Sequence, residues 1–171
     1  MEKNKSKVKF KNNPVTLVGN EIKVNNKAPD FTVLNNSLEQ VKLSDYKGKV
    51  KILSIYPSID TGICSKQAHT FNNEAGKLEK DIIILSLSND LPFALTRFCG
   101  AEGINNLVTL SDHKDLDFAL KYGFLIEELR LLARGIVVID KLDVVRHVEF
   151  VPEITTEPNY ESALNIAKSC I

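Results

Sequence analysis

The chain has 171 residues, of which 43% are hydrophobic and 26% are charged, a balance typical of a globular protein that can bury a core. Its 22 lysines and arginines equal its 22 aspartates and glutamates, so no net field attracts nucleic acid or an anionic membrane. The N-terminus lacks the apolar core of a signal peptide, and no apolar run approaches the ~18 residues that span a bilayer. We therefore expect a cytoplasmic protein with a single domain over residues 1–171.

The N-terminal segment VKFKNNPVTLVG alternates apolar and polar residues around NNP, which is a turn signal. This pattern predicts a β-hairpin within residues 1–19. Lys7, Lys9 and Lys11 would share one strand face. A solvated edge strand protected by lysines explains them better than a nucleic-acid arm does.

Beyond the hairpin, strand and helix patterns alternate. APDFTVLN predicts a strand, and KVKILSIY is nearly all apolar, as expected of a central strand covered on both faces. SKQAHTFNNEAGKLEK has apolar residues at helical spacing, and DIIILSLS is a second buried strand. DLPFALTRFCG predicts a helix capped by Asp90, with Pro92 in its first turn and its end at Gly100.

The second half of the chain continues this alternation. LVTLS predicts a short strand, and KDLDFALKYG a helix that ends at Gly123. ARGIVVIDKLDVVRHVEFV predicts two strands joined at DKLD, and EPNYESALNIAKSCI a closing helix with one apolar stripe. This order implies an α/β fold, a thioredoxin-like layout with a central mixed sheet flanked by helices on both faces. The N-terminal hairpin would be an addition to it.

Cys64 ends the string PSIDTGIC, between a buried-strand pattern and a helix pattern. Its thiol should therefore lie in the first turn of a helix, at the carboxyl end of a central strand, where α/β sheets place their functional crevices. Unpaired N–H groups and the helix dipole favour a reactive thiolate there. Pro57 would fix the bend out of the strand, and Gly62 would permit a close backbone approach. A core cysteine needs neither Gly62 nor Thr61, so the string favours a functional cysteine over a packed one.

The spacing Pro57-x-x-x-Thr61-x-x-Cys64 resembles the active-site signature of peroxiredoxins, and PSIDTGIC resembles its form in the thiol peroxidase branch. The strings DLPFALTRFCGAEGINN, LLARGIVVID and EITTEPNYESAL agree with that branch in the same order. The resemblance covers nearly the entire chain and implies a homodimer that needs no cofactor. FLIEELR, residues 124–130, matches no motif of the family.

The resemblance also implies a role for each matched residue. The Cys64 thiolate would attack the O–O bond of hydrogen peroxide or an organic hydroperoxide and become a sulfenic acid. Thr61 would hydrogen-bond the sulfur and the substrate oxygens, and Pro57 would shape the pocket. Arg134 would stabilise the thiolate and the departing oxygen. Cys99 would be the resolving cysteine, forming a Cys64–Cys99 disulfide that thioredoxin reduces.

Two further expectations concern geometry. A disulfide needs Cα atoms within roughly 7 Å, which two cysteines on separate helices rarely reach, so we expect the turns around both to unwind in each cycle. An apolar rim formed by Leu91 and Phe93 would suit organic hydroperoxides.

The remaining cysteine and the histidines are assigned no chemistry. Cys170 matches no family motif and is expected to pack against its helix or to lie exposed. The three histidines lack C-x-x-C or H-x-x-x-H spacing, so no metal site is predicted. His69 would point away from Cys64 on the same helix.

Two other functions remain open from the sequence. A thiol–disulfide oxidoreductase would use the same sulfur, but no C-x-x-C pair stands at Cys64. A non-catalytic redox sensor would use a slowly formed disulfide to alter a surface. Fast oxidation by stoichiometric peroxide would separate a peroxidase from both.

Overall fold

A computed structural model describes residues 1–171, the side chain of Ser6 excepted. The strands are β1 Lys3–Phe10, β2 Asn13–Val18, β3 Thr32–Leu34, β4 Gln40–Lys42, β5 Val50–Ile55, β6 Ile82–Ser88, β7 Val108–Ser111, β8 Leu125–Ile126, β9 Gly135–Ile139 and β10 Val145–Phe150. The helices are α1 Gly62–Ala75, α2 Pro92–Glu102, α3 Asp117–Tyr122 and α4 Tyr160–Ser169, with a 3-10 helix at Leu43–Tyr46.

The strands form two sheets. A seven-stranded sheet has the order β10-β9-β5-β6-β7-β3-β4, in which β5, β6 and β7 are parallel and the other pairs antiparallel. A three-stranded antiparallel sheet has the order β1-β2-β8. The predicted mixed sheet and the predicted N-terminal hairpin are therefore both present.

Strand β5 is buried along its whole length because both faces of the large sheet are covered. Val50 and Ile52 pack in a cluster with residues of α1 and α4. Leu53 and Ile55, one pleat over, pack in another cluster with residues of α3 and of the N-terminal hairpin. This two-sided burial explains why the strand lacks polar alternation. Lys51, fully buried, pairs with Asp143 at 2.6 Å.

The N-terminal hairpin differs from the solvated edge strand that its lysines predicted. The edge of β1 is covered by residues 152–154, since Lys9 N donates to Pro152 O at 2.7 Å and Ile154 N donates to Lys9 O at 2.9 Å. A register shift between Lys5 and Val8 interrupts the regular alternation of side chains. Lys7 places its ammonium over the ring of Phe150, 4.0 Å from the centroid. The hairpin is thus attached to the loop that follows β10.

Helix boundaries also depart from the predictions. Helix α1 ends at Ala75, short of the predicted charged tail. Helix α2 passes through Gly100 and ends at Glu102, and Gly103, whose φ is 65°, supplies the left-handed cap, so Gly100 as the end was wrong. Its N-cap is Leu91 rather than Asp90. Among the described residues 1–171, we find no helix long and apolar enough to cross a membrane.

Candidate active site

A short loop carries the chain from β5 to α1 and is fixed by a residue from elsewhere. Asp90, which follows β6, accepts hydrogen bonds from Ser58 Oγ and from Ile59 N, both at 2.7 Å. Parallel pairing of β5 with β6 brings Asp90 beside this loop. The carboxylate predicted as a helix cap therefore anchors the loop that contains Pro57 and Thr61.

Cys64 is the third residue of α1 and is fully buried. It packs in an apolar cluster with Tyr56, Ile59, Ala68 and Leu95. Burial raises the pKa of the Tyr56 phenol, which keeps that group neutral beside the sulfur. The sulfur therefore lies in surroundings of low polarity, where a nearby charge acts strongly.

That charge is the guanidinium of Arg134, which is itself only 2% exposed. Arg134 Nη2 donates to Cys64 Sγ at 3.1 Å, Nη1 to Gln67 Oε1 at 2.7 Å, and Nε to Ile154 O at 2.7 Å. The side chain is thereby held in three directions. The structure thus brings together Cys64 and Arg134, which lie 70 positions apart in the chain.

The buried charge of Arg134 needs a partner of opposite charge. A buried cation is costly unless an anion pairs with it. In the described residues, the hydrogen-bond acceptors of this guanidinium are a carbonyl oxygen, an amide oxygen and the Cys64 sulfur. Of these, the sulfur is the group that can become an anion.

Gln67 is a part of this site that the sequence did not reveal. It is fully buried one turn after Cys64, and its Nε2 donates to Ser54 Oγ at 2.9 Å and to Ile55 O at 3.3 Å. These bonds fix the orientation of the amide, so that Oε1 faces Arg134. The i, i+3 spacing from Cys64 is the signal that could have identified it.

Sheet pairing positions Arg134. Gly135, the first residue of β9, lies opposite Ile55, the last residue of β5, so that Arg134 is next to the loop of the site. A side chain at Gly135 would run into the backbone carbonyl of Glu149 on β10. The glycine after Arg134 in LLARG is therefore required by close packing between strands.

Thr61 is the N-cap residue of α1, but its hydroxyl does not cap the helix. Oγ1 donates to Ser58 O at 3.2 Å. The expected hydrogen bond from Thr61 to the sulfur is therefore absent from this structure of residues 1–171. Because the proton of the hydroxyl is engaged, its oxygen is left to accept a hydrogen bond. Gly62 is exposed, and a Cβ there would meet nothing, so no other part of the described chain approaches this glycine closely.

A pocket of about 470 Å³ opens in front of these residues. Its floor includes Pro57, Thr61 and Arg134. Its remaining lining, mostly apolar, comes from the hairpin, the loop at α1, the segment around β8 and the loop after β10: Phe10, Lys11, Ser58, Gly62, Ile63, Ile126, Leu129, Leu131, Ile154 and Thr155. Leu91 and Phe93, expected to form the rim, lie exposed elsewhere on the surface. The unmatched string FLIEELR supplies part of this wall instead.

Known proteins are similar to this chain in sequence and in fold. The family model described as Redoxin matches residues 23–164. The chain is 55% identical to a thiol peroxidase of Oceanobacillus iheyensis, with 94% of this chain and 97% of the relative covered. It is 52% identical to a thiol peroxidase of Bacillus subtilis, with 97% and 99% covered. The chain belongs to the redoxin family, in its thiol peroxidase branch.

Solved structures agree with this membership. The crystal structure of a peroxiredoxin-like protein from Aquifex aeolicus superposes with a TM-score of 0.91 at 37% identity, covering 100% of both chains. A thiol peroxidase from Chromobacterium violaceum gives a TM-score of 0.83 over 95% of each chain, and its 16% identity makes it a comparison of fold alone. The predicted thioredoxin-like fold and the predicted family are confirmed.

The other cysteines of this thiol peroxidase lie apart from the buried sulfur. Cys64, Cys99 and Cys170 are all free thiols. Cys99 is half-buried on α2, with Sγ 3.6 Å from Thr109 Oγ1. Cys170 follows α4 and packs in part against the cluster that covers the α1 and α4 face of the sheet. His69 is turned away from Cys64 and contacts Glu102 at 3.1 Å. In the described chain, no group of three or more His, Cys, Asp or Glu residues is placed to hold a metal ion.

Proposed function

We propose that this thiol peroxidase uses Cys64 as its peroxidatic nucleophile, with Arg134 as the cation that activates it. The observation that carries the proposal is the 3.1 Å contact of a buried guanidinium with a buried sulfur at the first turn of a helix. The first N–H groups of α1 have no carbonyl one turn earlier, so their partial positive charge adds to that of Arg134.

The first chemical step is a displacement at oxygen. The thiolate of Cys64 attacks the terminal oxygen of a hydroperoxide, an S–O bond forms, and the O–O bond breaks. The departing oxygen carries the electron pair, takes a proton from water, and leaves as an alcohol or as water. Arg134 lies beside the sulfur and stabilises the charge on that oxygen. Thr61 Oγ1 accepts a hydrogen bond from the peroxide and orients it.

The substrates we propose are hydrogen peroxide and organic hydroperoxides. The pocket walls formed by Phe10, Ile126, Leu129 and Leu131 support the second class, because an alkyl group gains by leaving water there. Pro57 closes one side of the floor and keeps water from the sulfur. Because Cys64 has no exposed surface, the substrate must enter between these floor residues.

The second step is resolution by Cys99. The thiolate of Cys99 attacks the sulfur of the Cys64 sulfenic acid, an S–S bond forms, and hydroxide leaves to become water. The two cysteines lie on separate helices, so we propose that α2 and the first turn of α1 unwind before they join. A dithiol such as thioredoxin then reduces the disulfide, as suits an intramolecular bond.

The domain organisation, oligomeric state and location of the protein are also part of the proposal. We propose a single domain over residues 1–171, with residues 1–19 as a hairpin extension. Leu91 and Phe93, which are 52% and 66% exposed, supply apolar surface for a homodimer. The odd number of free thiols suits a cytoplasmic location, where the environment is reducing.

The test is a single-turnover oxidation of reduced protein with stoichiometric peroxide, followed by stopped flow and by mapping of disulfides. We expect oxidation orders of magnitude faster than that of a free thiol, and a Cys64–Cys99 bond. Cys64→Ser should abolish turnover, and Cys99→Ser should consume one equivalent and leave a sulfenic acid. Cys170→Ser is the matched control and should behave as the parent. Slow oxidation with exchange of insulin-like disulfides would identify an oxidoreductase, and slow oxidation without exchange a sensor.

A further inference from the structure

In the described residues, the thiol of Cys99 makes a hydrogen-bond contact with Thr109, and the direction of that bond follows from a second partner of the threonine. Thr109 Oγ1 lies 3.6 Å from Cys99 Sγ and 3.1 Å from Asn36 Oδ1. An amide oxygen can only accept, so the single proton of the threonine hydroxyl goes to Asn36. The contact with Cys99 is therefore S–H···O, in which the thiol donates. A thiolate at Cys99 would find no donor in this hydroxyl.

The strand pairing that brings these residues together is part of the large sheet. Leu34 on β3 lies opposite Ser111 on β7 in an antiparallel pair. Asn36 follows the end of β3 by two residues, and its side chain reaches Thr109 on β7. Thr109 is 6% exposed, and its hydroxyl is thereby fixed beneath α2.

The turn that carries Asn36 is also ordered. Asn35 Oδ1 accepts hydrogen bonds from Ser37 N at 2.9 Å and from Glu39 N at 3.0 Å, two backbone amides that follow Asn36 in the turn. The side chain of Asn36 is therefore presented by a closed turn. This arrangement keeps the acceptor in place for Thr109.

We propose that Thr109, backed by Asn36, is a positioning residue that holds Cys99 as a protonated thiol while α2 is folded. This proposal rests on the proposed role of Cys99 as the resolving cysteine. A thiol is a poor nucleophile, so Cys99 does not react while the contact exists. When α2 unwinds, the S–H···O contact breaks, the thiol loses its proton to solvent, and the thiolate attacks the Cys64 sulfenic acid. The hydroxyl of Thr109 thus delays resolution.

Two variants at Thr109 separate the hydroxyl from the shape of the side chain. Thr109→Val keeps the volume and removes the acceptor, so disulfide formation after one equivalent of hydrogen peroxide should become about threefold faster, the scale of one weak hydrogen bond. Thr109→Ser keeps the hydroxyl and should restore the parent rate. Rapid acid quench and mass spectrometry follow the sulfenic acid and the Cys64–Cys99 disulfide with time.

The pH dependence of iodoacetamide alkylation at Cys99, measured in a Cys64→Ser background, tests the direction of the hydrogen bond. Thr109→Val should move the alkylation midpoint to lower pH. Asn36→Ala should move it further, because the threonine proton is then free to stabilise a thiolate. Thr96→Val, which makes the same change on the exposed side of α2, should leave the midpoint unchanged.

The outcomes are distinct. If the rate of alkylation of Thr109→Val rises at every pH and its midpoint does not change, the variant has a loosened fold and the proposal is overturned. An unchanged rate of disulfide formation would also overturn it. If the parent protein forms no Cys64–Cys99 disulfide, the proposed function itself has failed. If the parent forms the disulfide and Thr109→Val matches its rate, this inference alone has failed.

Discussion

The surroundings of Cys64 and Cys99 differ in almost every respect. Cys64 is fully buried, and its sulfur contacts a guanidinium that two further acceptors hold in place. Cys99 is half-buried, and its sulfur has one contact of 3.6 Å among the hydrogen bonds of the described residues. This difference fits the proposed function, in which Cys64 is held in place to attack peroxide and Cys99 moves to reach it.

The attachment of α2 to the rest of the fold agrees with this comparison. The helix buries Pro92 and Leu95. Its charged contacts to α1 and its loop are the exposed pairs Arg97–Asp60 at 3.3 Å and His69–Glu102 at 3.1 Å. Exposed pairs contribute about 0–1 kcal/mol each. These charged pairs therefore contribute little to the attachment of α2, which depends mainly on the burial of Pro92 and Leu95.

Removing the buried cation should have the largest effect. Arg134→Met keeps most of the side-chain volume and removes the charge that pairs with Cys64. We expect the second-order rate of Cys64 oxidation to fall by about 100-fold to 1,000-fold, the scale of losing a preorganised electrostatic group. Stopped-flow oxidation with hydrogen peroxide measures it. Arg97→Met, a change at an exposed arginine, is the control, and equal rates in the two variants would contradict a special role for Arg134.

Gln67 tests how far the preorganisation of the first region depends on its supporting residues. Gln67→Glu gives Arg134 a second anion, which competes with the thiolate, so the pH–rate profile of oxidation should move to higher pH and the rate at neutral pH should fall by about tenfold. Gln67→Leu leaves Arg134 Nη1 without its acceptor and Ser54 Oγ without its donor, and it should lower the free energy of unfolding by about 1–3 kcal/mol. Gln40→Glu, at an exposed position, should change neither quantity. A pH–rate profile of Gln67→Glu that coincides with that of the parent would contradict the prediction.

Hydrogen exchange tests directly whether the two cysteine regions differ in mobility. Closing a Cys64–Cys99 disulfide should remove protection from the amides of α2 and of the first turn of α1, because those turns must unwind. The amides of β5, buried between two layers, should keep their protection and serve as the internal control. Mass spectrometry of reduced and peroxide-oxidised protein gives both values. Equal protection of α2 in the two states would contradict the proposed movement.

The smallest effect concerns Glu153, which joins the hairpin to the loop that supports Arg134. Its carboxylate accepts hydrogen bonds from Asn12 N at 2.9 Å and Lys11 N at 3.1 Å, and these and others lower its pKa to about 2. Because this pKa is below the ordinary value of 4.5, the carboxylate stabilises the fold above about pH 4.5 and loses that contribution as pH falls through about 2.

The measurement is the melting temperature as a function of pH. Glu153→Gln should lower it by about 2 °C or less at neutral pH, since the residue is only half-buried, and the difference should vanish in acid. Glu127→Gln, at an exposed glutamate, is the control. A difference that grows on acidification would reverse the sign and refute this account of Glu153.

Local patterns predicted most of the secondary structure, and their failures have physical reasons. The predictions of β5 and of the helix after Cys64 were correct because packing against a sheet buries side chains at regular intervals along the chain. Gly100 lies inside α2, on the solvent-exposed face of the helix, where a glycine costs about 1 kcal/mol of stability relative to alanine. The two-residue strand β8 is too short to leave a periodic signal.

The site was less accessible to sequence reasoning, because its groups converge through tertiary pairing. Cys64 could be found from its position between a strand and a helix. Arg134 was found through the family resemblance, since its contact with Cys64 depends on β9 lying beside β5. Gln67 and Asp90 were missed as members of the site. Asp90 is recognisable by what it binds across the fold, which no local pattern contains. The i, i+3 spacing of Gln67 from Cys64 is a local signal, but it does not show that Gln67 contacts Arg134.

The most direct test is to follow the ultraviolet absorbance of the Cys64 thiolate as a function of pH, in a chain that carries Cys99→Ser and Cys170→Ser. We expect a thiolate already present at neutral pH, and its loss at that pH when Arg134→Met is added. A sulfur that ionises only at alkaline pH in the parent background, or that ionises equally with and without the guanidinium, would contradict it.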